Sequence, residues 1–540
     1  MGYDQRGIAT LAFFKDLGAN VGIPAGLLLE IAPPSVVLAA GAAMNLAGYL
    51  MVYLSLAGHV TRPPLWLMGF YVCAGSNSQT FTCTAALVTA VKNFPERRRG
   101  ALLGLLKGYV GISSAVLAQL YLAIYGGGGD TKSLVLLIAW LPAAVSVVFL
   151  PTVRVMPPQR SCQSSSHGGG DVFLSLLYIS MALAAYILAM IVVQRQVIFS
   201  RAGYAASAAG LFLILFLPIA VVVKQEYVTN KFDNKELEEP LSAAPADDDG
   251  AIADKASSSP ANTPPSSWLT PPAHGEDYTI SQALVSIDMA ILFVAVAAGT
   301  GGTLTAIDNM GQIGQSLGYP TKTVDAFVSL ISVWNYAGRV AAGYLSESLV
   351  TSRYKIPRPA MITAVLVVSC SGHLLIAAGA PGGTLYVASV IVGFCFGAQW
   401  PLLFAVVSEL FGLRRYATLY NVSAAASPVG SYVLNVLVAG RLYDAEAARQ
   451  HGGDGGGGGD DKTCMGVECF GRSFLIIAAA TAGGALVSMV LAWRTREFYR
   501  GDIYAKFRDA TAAAREESPE VMTTRQGSRA GRVNGGARDV

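Results

Sequence analysis

Residues 13–30 read FFKDLGANVGIPAGLLLE, an apolar run that contains Lys15, Asp16 and Asn20 and ends in Glu30. In a soluble domain such polar residues would mark a solvated face, but this chain has too few of them to clothe one. Of its 540 residues 53% are hydrophobic and only 14% charged, whereas soluble domains carry about 25% Asp, Glu, Lys and Arg. Mean hydropathy is +0.47. The net charge of +3 and the scattered basic residues give no support for nucleic-acid binding. Seven cysteines, sparse and odd in number, exclude a disulfide scaffold. The stretch therefore reads as part of a membrane-spanning helix in a polytopic protein.

A helix crossing the bilayer needs roughly 20 mostly apolar residues. That length criterion places thirteen spans, at 8–29, 35–57, 65–91, 101–125, 133–151, 173–193, 203–223, 283–305, 323–346, 359–379, 384–407, 417–440 and 472–494. Strands are excluded because the apolar runs are twice the length of a barrel strand and lack strict alternation. Lys and Arg next to the spans orient them. Lys92 and Arg97–Arg99 follow the third span, Arg353, Lys355 and Arg358 the ninth, and Arg414 and Arg415 the eleventh. All three clusters fall on one side, taken as cytosolic, and Arg494, Arg496 and Arg500 put the C-terminus there too. Thirteen spans then leave the N-terminus outside, without a cleavable signal peptide to explain it.

A parallel repeat offset by 317 residues accounts for the odd number. Gly26, Leu28 and Glu30 match Gly343, Leu345 and Glu347, while Phe94, Arg97 and Arg98 match Phe411, Arg414 and Arg415. Gly2-Tyr3 matches Gly318-Tyr319 with one residue of slippage. Parallel half-repeats characterise several secondary transporters, with the substrate held between the halves near the midplane. The second half has a helix, 283–305, ahead of its Gly-Tyr, and the first half has none. The expected organisation is a five-helix N-terminal bundle (1–152), a linker with two additional spans (153–223), a disordered cytosolic loop (224–281), a six-helix C-terminal bundle (282–494) and a cytosolic tail (495–540).

Five strings carry a family resemblance: FFKDLGANVGIPAGLL (13–28), KNFPERRRGALLGLLKGYVG (92–111), LVLLIAWLPAAVS (134–146), TAIDNMGQIGQSLGY (305–319) and WNYAGRVAAGYLSE (334–347). The chain resembles the plant nodulin-like branch of the major facilitator superfamily, including its nuclear-fusion-defective type. The resemblance implies an all-α carrier whose two six-helix bundles rock around a central site. Members of that branch usually begin with one more helix, the one the repeat finds missing.

Of 73 charged residues, six lie inside spans: Lys15, Asp16, Lys107, Asp288, Asp325 and Arg339. A charge at the centre of a span costs about 2.5–3.5 kcal/mol on insertion scales, so these side chains should face the bundle interior. Helical spacing puts Lys15 on a stripe with Gly18, Gly22 and Gly26, Lys107 with Gly104 and Gly111, and Arg339 with Ser332, Asn335 and Gly343. The functional reading makes Lys15, Lys107 and Arg339 the cationic lining of a solute path, with Asn335 on the Arg339 face. Asp16 is then a partner or proton carrier, and Asn20 extends its polar face. The bland reading makes all of them interhelical bonds. Asp288 and Asp325, near span ends, are read as structural. Asp308 and Asn309 form a second candidate cluster, whose plainer reading is a polar cap at the outer surface. Gln79, Gln399 and Asn421 are neutral candidates that fit cross-helix hydrogen bonds equally well. His373 reads as a packed residue.

Glu30 and Glu347 occupy matching helix ends within a degraded form of the facilitator loop motif G-x-x-x-D-(R/K)-x-G-(R/K). They are expected either to latch a cytosolic gate with Arg97, Arg98, Arg414 or Arg415, or simply to be solvated. Residues 126–133 (GGGGDTKS) lack the second glycine of a phosphate loop, and no HExxH, GxSxG or paired CxxC spacing supports an enzyme. Cys464 and Cys469 can form a small outer disulfide. The expected function is secondary transport of a small solute, with an organic anion preferred because three intramembrane groups are cationic. A monomer in the bilayer with no cofactor or metal is expected. The alternative is a transport-inactive scaffold, receptor-like protein or truncated carrier.

Overall fold

The computed structural model describes residues 5–60, 63–93, 99–125, 130–155, 169–197, 199–238, 271–379, 383–451 and 464–503. Helices stand at all thirteen expected positions, and no strand occurs among the described residues. The N-terminal half comprises α1 (Gln5–Asn20), α2 (Ile23–Ile31), α3 (Pro34–Ala57), α4 (Leu65–Asn93), α5 (Arg99–Tyr125) and α6 (Thr131–Phe149). Two further helices follow, α7 (Gly169–Gln196) and α8 (Arg201–Glu238). The C-terminal half begins with α9 (Ile280–Val285), α10 (Ile287–Ser316), α11 (Thr321–Thr351), α12 (Arg358–Ala378) and α13 (Thr384–Leu410). It ends with α14 (Tyr416–Ala424), α15 (Ala426–Ser431), a π-helical segment (Tyr432–Gly440), α16 (Arg441–His451) and α17 (Glu468–Arg500).

Among the described residues, ten helical stretches are long and apolar enough to cross a membrane on those grounds alone. The other three expected spans, held by α1–α2, α4 and α11, are interrupted or richer in polar residues. The first is broken between α1 and α2, where Pro24 sits in the first turn of α2 and lacks the N–H that would continue the ladder. Buried residues of α4 include Ser76, Ser78, Thr80 and Thr84, and α11 carries Asn335 and Arg339.

The halves meet at two antiparallel crossings. At the first, α2 lies on α14 so closely that a Cβ on Gly26 would stand 2.6 Å from the carbonyl oxygen of Ala417. At the second, α5 lies on α11, and a Cβ on Gly104 would stand 2.8 Å from the Cα of Gly343. Lipid tails are as apolar as leucine, so close backbone approach through small residues is what joins helices here. One cluster of buried apolar side chains runs through both halves, from Leu29, Phe81 and Val88 to Phe404, Tyr416 and Tyr420.

The two additional helices are attached to both halves. Gln119 of α5 and Gln194 of α7 exchange amide hydrogen bonds of 2.9 and 2.8 Å. From α11, Tyr336 donates to the Ser180 hydroxyl and Tyr344 to the carbonyl of Phe173, each at 2.8 Å.

Both ends of the segment expected to lack structure are ordered. Helix α8 continues to Glu238, and residues 271–279 dock against the end of α13. There Gly275 N–H donates to Leu410 O and Tyr278 N–H to Phe411 O. Asp277 accepts from the N–H groups of Leu413 and Arg414, and Thr279 forms a capping box with Gln282 at the start of α9. A Ser/Pro-rich composition hides such docking because a few residues, Gly275, Asp277 and Tyr278 among them, make it. Residues 239–270 and 504–540 lie outside the described residues. The Cys464–Cys469 disulfide is formed, and His373 is fully buried beside Phe474.

Gly104→Leu is expected to force α5 off α11 and to cost about 1–3 kcal/mol, as overpacking generally does. A lowered Tm of the detergent-solubilised protein checks this, and an unchanged Tm refutes the crossing.

Candidate functional site

One end of the bundle collects the basic loops. Lys355 Nζ, after α11, donates to the carbonyl of Arg500 at the end of α17 at 2.6 Å, and Tyr499 donates to Glu409 of α13 at 2.8 Å. This basic end closes with buried charges. Arg358, fully buried at the first turn of α12, binds Glu409 at 2.8 Å and Glu347 at 2.8 Å. Glu347 also accepts from the backbone N–H of Gly100 at 2.9 Å, and Arg99 donates to the carbonyl of Ser408 at 3.3 Å. The cluster therefore spans α5 of one half and α11, α12, α13 and α17 of the other.

Glu30 closes the other crossing. Its carboxylate binds Arg415 at 2.6 Å and accepts from the Thr418 hydroxyl. Glu30 at a helix end thus pairs with an Arg after a span, whereas Glu347 turns to Arg358. Arg414 is exposed and uses its backbone N–H on Asp277. Arg97 and Arg98 lie outside the described residues.

Further along the interface, Lys107 and Arg339 are both buried, at 7% exposure each. Arg339 donates to Asn335 Oδ1 at 2.9 Å and to the carbonyl of Lys107 at 3.3 Å. The Lys107 ammonium rests over three rings, 4.7 Å from the centroid of Phe404 and 5.6 Å from those of Trp400 and Tyr420. Among the described residues, neither cation has a carboxylate within 4.0 Å. Asn421 sits alongside, exchanging hydrogen bonds with Thr84 of α4 at 3.0 and 3.3 Å and packing over Gly22.

A second polar group lies nearer the opposite end. Lys15 and Asp16 form a 3.2 Å pair with side chains 59% and 45% exposed. Asp308 is also exposed. Asn435, in the π-helical segment, donates to Asp308 at 3.3 Å and accepts from Asn309 at 2.7 Å. Asp308 and Asn309 are not a cap at a helix end, because α10 runs on to Ser316. Asn20 donates to the carbonyl of Asp16 and stays local.

Two candidates fall outside these groups. Gln399 turns into the C-terminal half, where its Oε1 faces Gly299 of α10, and Gln79 is exposed. Asp288 is structural, bound by Arg494 at 2.6 Å and His274 at 2.8 Å. The Asp325 side chain lies outside the described residues.

Sequence reasoning missed Arg358, which counted only as a loop charge, and its partner Glu409. It also missed Asn435 and the rings around Lys107. A signal for the rings was present in the i, i+4 spacings of Trp400 with Phe404 and Tyr416 with Tyr420.

Known proteins bear on this arrangement. The Nodulin-like family model matches residues 1–223, and the model described as NFD4, C-terminal domain, matches residues 275–501. The chain belongs to the nodulin-like branch of the major facilitator superfamily. Across 511 residues it is 24% identical to Protein NUCLEAR FUSION DEFECTIVE 4 of Arabidopsis thaliana, covering 92% of this chain and 84% of that protein. It is 25% identical over 200 residues to Probable transporter MCH1 of Yarrowia lipolytica, covering 35% and 39% of the two. A solved structure of the proton:xylose symporter XylE bound to 6-bromo-6-deoxy-D-glucose matches with a TM-score of 0.52. That match covers 90% of this chain and 86% of the other at 12% identity, and it establishes a shared fold. This facilitator-family chain is accordingly a multi-pass membrane protein of secondary-transporter type.

Glu30→Arg is expected to slow transport about tenfold, the factor that a loss of about 1.4 kcal/mol produces. Surface level should be unchanged, and adding Arg415→Glu should restore part of the rate. Initial-rate uptake across the four proteins checks the pairing, and a double variant no faster than Glu30→Arg refutes it.

Proposed function

We propose that this facilitator-family protein moves a small anionic solute, with organic carboxylates as the preferred class, by alternating access between its two halves. The observation that carries this reading is the burial of Lys107 and Arg339 at the interface with no carboxylate partner among the described residues. Two buried cations without a counter-charge are costly, and a visiting anion supplies one. Asn335, bound to Arg339, and Asn421 supply neutral hydrogen-bonding groups nearby. Lys15, Asp16, Asp308 and Asn309 lie nearer the opposite end, where their exposure fits a water-filled entrance, since bare lipid is a costly surrounding for charge. The closed basic end, held by Glu30–Arg415 and the Arg358 cluster, is the cytosolic gate by the positive-inside rule. Both halves of the path come from one chain, so a monomer suffices.

Purified protein reconstituted in vesicles is expected to take up at least one of acetate, malate and citrate saturably, with no competition from xylose. Lys107→Ala and Arg339→Ala should each lower kcat/KM about tenfold or more, as loss of hydrogen bonds to a charged group does, with normal folding and insertion. Uptake of a neutral sugar alone, or full activity in both variants, refutes the proposal.

A further inference from the structure

Lys107 belongs to α5 of the N-terminal half, but the rings beneath its ammonium belong to the other half: Trp400 and Phe404 on α13 and Tyr420 on α14. The rings brace one another, with Phe404 stacked on Tyr420 at 4.1 Å between centroids and Trp400 tilted against Phe404 at 5.7 Å. A cation within about 6 Å of an aromatic face is attracted by the ring quadrupole, most strongly where water is excluded. At 7% exposure, Lys107 meets that condition. The contact therefore ties the two halves together between the basic end and the exposed charges of α1 and α10.

We propose that Lys107 and its aromatic seat form a release latch. In the empty carrier the ammonium rests on the opposite half and holds the basic end closed; a bound anion takes the ammonium and frees the halves to rock. The release step rests on the anionic-solute reading of this site. Its physics is a competition for one cation. Attraction to a full negative charge falls off only as the inverse of distance and is amplified in a low-dielectric site, so a carboxylate in contact outbids ring quadrupoles. The local build suits a swing of this side chain. Arg339 holds the Lys107 carbonyl at 3.3 Å, which fixes the backbone of α5, while the Lys107 stem is flexible. The cation–ring contact has no repeat copy: the residue 317 positions on from Lys107 is Ala424, and the other crossing is held instead by Glu30 with Arg415.

The test measures the distance between the halves at the end opposite the gate, using spin labels on His59→Cys after α3 and Gln315→Cys at the end of α10, both exposed. Cys73, Cys83, Cys162, Cys370 and Cys395 are replaced by serine, and the Cys464–Cys469 disulfide is kept. Without solute, Phe404→Leu and Lys107→Met are each expected to move the ratio of long to short distances about tenfold toward short. The double variant should go no further, because the two residues act as one contact, and Phe404→Tyr, which keeps the ring, should behave as the parent. Acetate, malate or citrate should move the parent in the same direction and leave Lys107→Met unmoved. Additive effects, or no shift in Phe404→Leu, overturn the latch; if Lys107→Ala still abolishes carboxylate uptake, the solute path survives that failure. If the two substitutions are coupled but no carboxylate moves the distance or enters vesicles, release by an anion is overturned together with the path.

Discussion

Arg358 has no water to solvate it, and that constraint organises the closed end of the molecule. A guanidinium out of water must be answered by carboxylates with good geometry, and Glu347 and Glu409 answer it from two other helices. Glu347 reaches further, to the backbone N–H of Gly100 in the opposite half. It can do so because Gly100, Gly104 and Gly343 let α5 and α11 touch backbone to backbone. The charges need the glycines for distance, and the glycines need the charges for register. With Arg99 also fully buried beside Ser408, the cluster contains two cations and two carboxylates, so it closes the end without a net charge left over.

The 317-residue repeat is visible as three-dimensional pseudo-symmetry, and its departures are more informative than its matches. Gly26 and Gly343, which correspond in sequence, each mark a crossing between halves. Glu30 and Glu347 correspond as well, and each binds across the interface: Glu30 to Arg415 and Thr418, Glu347 to Gly100. The midplane breaks the symmetry. Where the first crossing sets Gly22 against Asn421, the second sets Arg339 against Gly104, at the same offset. Both buried cations thus fall at the α5–α11 crossing, and the α2–α14 crossing stays neutral. A symmetric scaffold with a one-sided charge gives a solute a defined orientation.

Much of the fold was legible because the bilayer imposes a length on apolar runs, and each of the thirteen runs holds a helix. The break at Gly22 and Pro24 was not, since hydropathy averages over a single turn. The closed basic end was half legible. Glu30 and Arg415 sit where helix ends and basic loops advertise them, but Arg358 looked like any loop arginine until α12 was seen to begin on it. Gln399 was misplaced for a related reason: a helix inside a bundle has several inward faces, and composition does not say which one borders the path. The setting of Lys107 was not legible because its partners are rings on helices distant in sequence.

The two polar groups along the interface differ most in their access to water, and this decides their weight. Lys15 and Asp16 are about half exposed and pair with each other, so their field on a passing solute is screened as it would be at any protein surface, where charge pairs contribute about 0–1 kcal/mol. Lys107 and Arg339 are shielded from solvent and, among the described residues, from carboxylates, and at low effective dielectric the same unit charge acts several times more strongly. A solute entering between α1 and α10 would meet first a weak, mixed field that tolerates many polar molecules and then a strong field of one sign. On the proposed path, discrimination would be concentrated at the α5–α11 crossing, where Gly104 and Gly343 bring the two backbones together. Recognition and gating would then share one piece of the structure, so a substitution that loosens the crossing would alter both together.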